Sequence, residues 1–231
     1  MTGNAQPMVH VVDDDDSVCR SLVSLLEEVG IPVATFASAE VFLKALRDDT
    51  RGCILLDVRM PGMSGLQLQQ ALRERDVTMP TIILTGHADV PMAVSAMSAG
   101  AAGFVEKPFH PQGLLDRIRD CLEADARQAA FQAERRQAKD SLARLSSREQ
   151  EVLRQLVTGK PSKLIASALG ISEKTVDVHR SNLMRKTGTR SVAELMRLWF
   201  LLHPVEEQLD HDAPSHRPAP PPLPHAPRTT R

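Results

Sequence analysis

Short apolar runs alternate with amphipathic stretches over the first 120 residues, and this alternation constrains the fold more than any other feature of the chain. "MVHVV" (8–12), "PVATF" (32–36), "CILL" (53–56), "TIILT" (81–85) and "GFVEK" (103–107) read as strands. The intervening "SVCRSLVSLLEEVG", "SAEVFLKALRDD", "GLQLQQALRER" and "VPMAVSAMSAG", and the following "HPQGLLDRIRDCLEA", carry apolar residues at i, i+3, i+4 spacing. Several of these close on Gly or are followed by Pro, as helices do. Strict strand-helix alternation predicts an α/β doubly wound five-stranded parallel sheet with helices on both faces. Ligands of such sheets bind at the carboxyl ends of the strands, so chemistry is to be sought directly after each apolar run.

The run after the first strand is "VVDDDDS", four consecutive carboxylates, Asp13 to Asp16. Like charges raise each other's pKa unless a cation sits between them. Asp13 and Asp14 follow the strand, and the neighbouring "CILLD" delivers Asp57 to the same edge. Three converging acids make a hard oxygen cage of the kind Mg²⁺ accepts. Asp15 and Asp16 are expected to cap the next helix and complement its dipole. "ILT" adds Thr85 and "FVEK" adds Lys107. Acids, a hydroxyl and an ammonium at one edge suit phosphoryl transfer, with Asp57 as the carboxylate nucleophile that becomes an aspartyl phosphate. His87 is read as a loop residue, and Met60, Met92 and Met97 as core or turn residues.

The rest of the chain differs in composition. Residues 1–122 hold 10 Lys+Arg against 16 Asp+Glu, whereas 123–231 hold 18 against 13, so an acidic half precedes one suited to a polyanion. Residues 123–141, rich in Ala, Gln, Arg and Glu, read as a solvated helical linker continuous with the helix before it. From 142 to 203 the pattern is wholly helical, broken at Gly159-Lys160-Pro161, Gly170 and Thr187-Gly188-Thr189. The Pro-rich tail, 204–231, is expected to be disordered. No apolar run approaches the roughly 18 residues of a membrane span, and no secretory signal is visible, so a cytoplasmic protein is expected. Cys19, Cys53 and Cys121 form no C-x-x-C pair and read as buried thiols.

Within 142–203, "PSKLIASALG" and "SEKTVDVHRSNLMRKTG" form a short helix, a turn on Gly170 and a longer basic helix capped by Ser172, the helix-turn-helix arrangement. Projection at about 100° per residue turns Val176, Leu183 and the stems of His179 and Arg180 inward. Lys174, Asp177, Val178, Ser181 and Arg185 face outward, toward a major groove. There Asp177 can accept from a cytosine amino group and Val178 can touch a thymine methyl. Lys163, Thr175, Arg180 and Lys186 are better placed for phosphates. Aromatic residues are only 3% of the chain, which argues against stacking on single strands and for duplex DNA.

"VVDDDDSVCRSL", "LLDVRMPGMSGLQL", "TIILTGHADVPMAVSAMSAGAAGFVEKPF", "SSREQEVL" and "SEKTVDVHR" together resemble a two-component response regulator of the NarL/FixJ type, over about residues 8–202. The resemblance implies a phosphoacceptor receiver domain (1–122) and a LuxR-type helix-turn-helix domain (142–203). It also implies Asp57 as phosphoacceptor, Asp13, Asp14, Asp57 and the backbone carbonyl of Arg59 around Mg²⁺, and Thr85 and Lys107 on the phosphoryl oxygens. A cis Lys107–Pro108 bond and Phe104 as the switch aromatic belong to the same pattern. Gly103 departs from it where relatives often carry Asp, and Ser162 where they often carry Asn, a change expected to bear on the turn rather than the groove. The implied partners are a sensor histidine kinase, double-stranded promoter DNA and a second copy of the chain on phosphorylation. Dimerisation is expected at the surface made by the 90–100 helix, the 103–107 strand and the helix that follows.

The reading is of a regulator rather than an enzyme. An aspartyl-phosphate hydrolase would need a general acid two residues after its nucleophile, and that position is Arg59. A phosphate sink whose second domain contacts protein is the other rival, separable by the salt dependence of duplex binding.

Overall fold

The computed structural model describes residues 6–86, 94, 96–98 and 100–204. His87, Met92, most of the 90–100 stretch and the tail from 205 onward lie outside them. The chain divides into two compact units, Met1–Gln132 and Ala133–Arg231.

The first unit carries β1 (Met8–Val12), α1 (Asp16–Glu28), β2 (Val33–Phe36), α2 (Ala39–Ala45), β3 (Gly52–Asp57), α3 (Gly65–Glu74), β4 (Thr81–Thr85), β5 (Gly103–Glu106) and the start of α4 (Pro111–Ala143). All strand pairs are parallel, in the order β2-β1-β3-β4-β5. Every residue of β3 and β4 is buried, as expected of central strands covered on both faces. Alternate residues feed two cores. Val9, Val11, Cys53, Leu55, Ile82 and Leu84 pack with Leu22 and Leu26 of α1 and with Leu114 and Ile118 of α4. Val12, Ile54, Leu56 and Ile83 pack with Phe42 of α2 and with Leu68 and Leu72 of α3. Each such fully buried side chain contributes about 1.5–3 kcal/mol relative to exposure. Met60 is in this second core, whereas Met97 is 51% exposed, so the expectation of a core or turn residue fails at Met97.

Both ends of β3 require glycine. Gly52 has φ +129°, and a Cβ there would lie 1.8 Å from the carbonyl oxygen of Met8 on β1. At Gly65, where α3 meets the strand it follows, a Cβ would lie 2.2 Å from the carbonyl oxygen of Asp57.

The long helix α4 is unbroken through the stretch read as a linker. That stretch is not wholly solvated: Asp125 is buried, and its carboxylate accepts from Arg51 Nε (2.9 Å) and Gly52 N (3.1 Å) at the start of β3.

The second unit holds the end of α4, α5 (Ser147–Leu156), α6 (Ser162–Leu169), α7 (Glu173–Thr187) and α8 (Val192–Leu202). Its core is built on Val152, Leu153, Ile165, Val176, Leu183 and Leu195. Gly170 ends α6 at φ +64°, the left-handed cap that lets the chain turn directly into α7. The Ser172 hydroxyl caps α7 by accepting from Thr175 N at 3.1 Å. Glu149 of α5 closes a capping box with Ser146 and accepts from Lys186 Nζ at 2.7 Å, joining α5 to α7.

Candidate functional site

The sheet register lines up the strand ends. Val12 pairs with Leu56, Asp57 with Leu84 and Thr85 with Glu106, so Asp13, Asp57, Thr85 and Lys107 stand in sequence along one edge. Asp13 (2% exposed), Asp57 (7%) and Thr85 (1%) are buried there. Lys107 Nζ donates to Asp13 Oδ2 at 2.6 Å and to Asp57 Oδ1 at 2.7 Å. The remaining oxygens are held by backbone: Asp13 Oδ1 accepts from Asp15 N (2.9 Å) and Asp57 Oδ2 from Arg59 N (2.6 Å). The amide of Lys107 donates to the carbonyl of Thr85 at 2.7 Å, which ties Lys107 to the end of β4, and Lys107–Pro108 is cis, as expected.

An ammonium of the chain itself thus sits between the two buried carboxylates. Burial raises the Asp13 pKa above its ordinary value, against the opposing hydrogen bond from Lys107. Burial alone would lower Lys107, but its hydrogen bonds to Asp13 and Asp57 outweigh that and hold its pKa above the ordinary value.

Asp15 and Asp16 serve the helix start as expected. Asp15 is the N-cap of α1, accepting from Ser17 N at 2.8 Å, and Asp16 opens the helix. Asp14 follows Asp13 at the strand end and is exposed to solvent, while Asp13 and Asp57 are buried. Lys107 occupies the space between the other two. The oxygen donors of Asp13, Asp14, Asp57 and the Arg59 carbonyl still fit a hard cation such as Mg²⁺ by type. Phe104 is half-buried on β5 against the core behind α2 and α3.

A second candidate surface lies on α7. Val176 and Leu183 are buried, while Lys174, Asp177, Val178, Ser181 and Arg185 are all exposed, the division expected from periodicity. Three polar residues have roles that periodicity does not reveal. Lys186, expected on phosphate, is the ion-pair partner of buried Glu149. The Thr175 hydroxyl is 2.7 Å from that of Ser172, within the helix cap. Ser162, expected to act on the turn, reaches the recognition face: its hydroxyl donates to Asp177 Oδ1 (3.1 Å) and accepts from Arg180 Nη1 (2.9 Å).

Comparison with known proteins matches each unit separately. Residues 9–119 match the response regulator receiver domain, and 143–199 match the bacterial regulatory proteins of the luxR family. The transcriptional regulatory protein FixJ of Azorhizobium caulinodans is 47% identical over 193 residues, 84% of this chain and 92% of that protein. The transcriptional regulatory protein TdiR of Thauera aromatica is 46% identical, over 84% of this chain and 86% of that protein. Among solved structures, the response regulator StyR is similar with TM-score 0.77 and 44% identity, over 84% of this chain and 98% of that one. Full-length FixJ from B. japonicum gives TM-score 0.53 and 37% identity, over 86% and 98%.

Proposed function

The chain belongs to the response regulators that join a receiver domain to a LuxR-type DNA-binding domain, and from that premise we propose that a sensor histidine kinase phosphorylates Asp57 and that phosphorylation controls binding to promoter DNA. The observation that carries the proposal is the state of Asp57: buried at the carboxyl end of a central strand, with Lys107 Nζ at 2.7 Å and Arg59 N at 2.6 Å on its two oxygens. These donors fix the carboxylate for in-line attack and lower the cost of bringing a phosphoryl dianion beside it.

An Asp57 oxygen forms the new P–O bond as the P–N bond of a phosphohistidine breaks, and the imidazole leaves with the electron pair. Lys107 then follows the negative charge from the carboxylates onto the phosphoryl oxygens, and the Thr85 hydroxyl donates to another of them. Bound Mg²⁺ supplies further neutralisation of those oxygens, with Asp13, Asp14, Asp57 and the Arg59 carbonyl as the residues that would hold it. Movement of Thr85 frees space toward Phe104, whose reorientation alters the surface used for homodimerisation. The regulator acts in the cytoplasm, where its DNA lies. Lys174, Asp177, Val178, Ser181 and Arg185 meet base edges, and Thr175, Arg180 and Lys163 the backbone.

Intact mass after acetyl phosphate and Mg²⁺, beside Asp57→Asn and with light scattering on the same samples, tests the switch. An adduct lost in the mutant and a mass shift toward dimer are expected; no adduct on the wild type overturns it. Binding to duplex DNA should weaken with salt by a slope of about −0.9 per neutralised phosphate, and a flat salt dependence overturns the DNA-binding half.

A further inference from the structure

Building on the DNA-reading role proposed for α7, we infer that Ser162, which lies outside the recognition helix, is a positioning residue that sets the base preference of Asp177. Asp177 and Arg180 are three residues apart on α7 and so are neighbours on its surface. The Ser162 hydroxyl enters between them from the first turn of α6. It uses its single proton toward Asp177 Oδ1 at 3.1 Å and its lone pair toward Arg180 Nη1 at 2.9 Å. The result is a directed chain, guanidinium to hydroxyl to carboxylate, in which each hydrogen bond polarises the next.

Two consequences follow for recognition. An exposed aspartate samples several rotamers, and the hydroxyl selects one of them. One lone pair of Oδ1 is then engaged, which orients Oδ2 and the free lone pair of Oδ1 toward a donor. A carboxylate only accepts hydrogen bonds, so in the major groove it meets the amino groups of cytosine or adenine and is repelled by the acceptors of guanine and thymine. Fixing the carboxylate turns a tolerance for either amino base into a preference for one, cytosine, whose amino group presents no adjoining acceptor of the kind adenine carries at N7.

The test uses the full-length chain, treated with acetyl phosphate, to select duplexes from a pool with a randomised core. Dissociation constants are then measured on the selected duplex and on its single-base variants at several salt concentrations. Wild type should prefer cytosine at one position by about 5- to 150-fold, the range set by one good base contact. Ser162→Ala should reduce that preference about fivefold, the effect of one net hydrogen bond, with non-specific affinity and salt slope unchanged. Ser162→Thr, which keeps the hydroxyl, should restore it. Asp177→Asn should flatten the same position, and adding Ser162→Ala to it should change nothing more. Circular dichroism of each variant excludes misfolding. The inference is overturned if Ser162→Ala keeps the wild-type preference table, or weakens all duplexes alike with a shallower salt slope. If the wild type selects no sequence, the DNA-reading role itself falls, an outcome distinct from either of these.

Discussion

Replacing Gly65 by alanine should disable the phosphorylation edge without touching any group that performs chemistry there. The Cβ would sit 2.2 Å from the Asp57 carbonyl oxygen, 3.0 Å from its carbonyl carbon and 3.1 Å from the Cα of Val58. All three are backbone atoms of the β3 end, held by Val58 N to Leu84 O (3.3 Å), so none can rotate away. Relief requires α3 to retreat by about 1 Å. That would stretch the hydrogen bond from Gly65 N to Val58 O, now 3.0 Å, and lift Leu68 and Leu72 from their core. Overpacking of this kind costs about 1–3 kcal/mol, and the strained hydrogen bond about 1 kcal/mol more. At ~2.1 cal/mol/K of unfolding entropy per residue, a unit of this size should lose roughly 7–14 °C in Tm.

The assay pairs thermal unfolding of the full chain with the rate of phosphorylation by acetyl phosphate. Ser64→Ala serves as the control, because it removes the capping box of the same helix end with no added bulk. It should cost about 1 kcal/mol and leave the phosphorylation rate at wild type. Gly65→Ala should lower both stability and rate, since Asp57 moves with its own carbonyl. A Gly65→Ala protein that melts within 1–2 °C of wild type and is phosphorylated at the wild-type rate would refute the steric argument.

Two further outcomes are expected. The pKa of Glu149 is held below its ordinary value of 4.5: burial works against this, but the hydrogen bonds from Lys186 and Ser146 prevail. A depressed folded-state pKa contributes stability above the unfolded value and loses it as pH falls through the folded one. Glu149→Gln should therefore cost ~1.5 kcal/mol at pH 7, with the difference from wild type shrinking as pH falls below about 4.5 in urea titrations; a pH-independent difference would contradict the ion pair. Asp125→Ala leaves Arg51 and the Gly52 amide without their partner and should destabilise the first unit by ~3 kcal/mol, measured by urea unfolding, where a loss under about 0.5 kcal/mol would show the contact to be incidental.

What could be read in advance follows from how local the governing physics is. Asp13, Asp57, Thr85 and Lys107 were legible because a parallel sheet brings every strand end to one edge, and the sequence marks each end by the stop of an apolar run. The outward face of α7 was legible because helical periodicity is local too. The contacts that local pattern does not record share a cause, which is a polar partner distant in sequence. Asp125 sits in a stretch with hardly an apolar residue, and its partner Arg51 is 74 residues away. Lys186 looks like any surface cation until Glu149, 37 residues earlier, is found beneath it. Ser162 was assigned to the turn because nothing in the local pattern records that its hydroxyl reaches Asp177, 15 residues on.

The two glycines that bracket β3 restrict how this protein can vary over generations. Any replacement at either position introduces a Cβ, and at Gly52 and Gly65 that atom meets main chain rather than a yielding side chain. No graded series of substitutions exists there, only glycine or a displaced strand. Lineages that tune how long the phosphorylated state lasts must therefore do so through side chains around Asp57, while these two positions stay silent in any record of adaptive change.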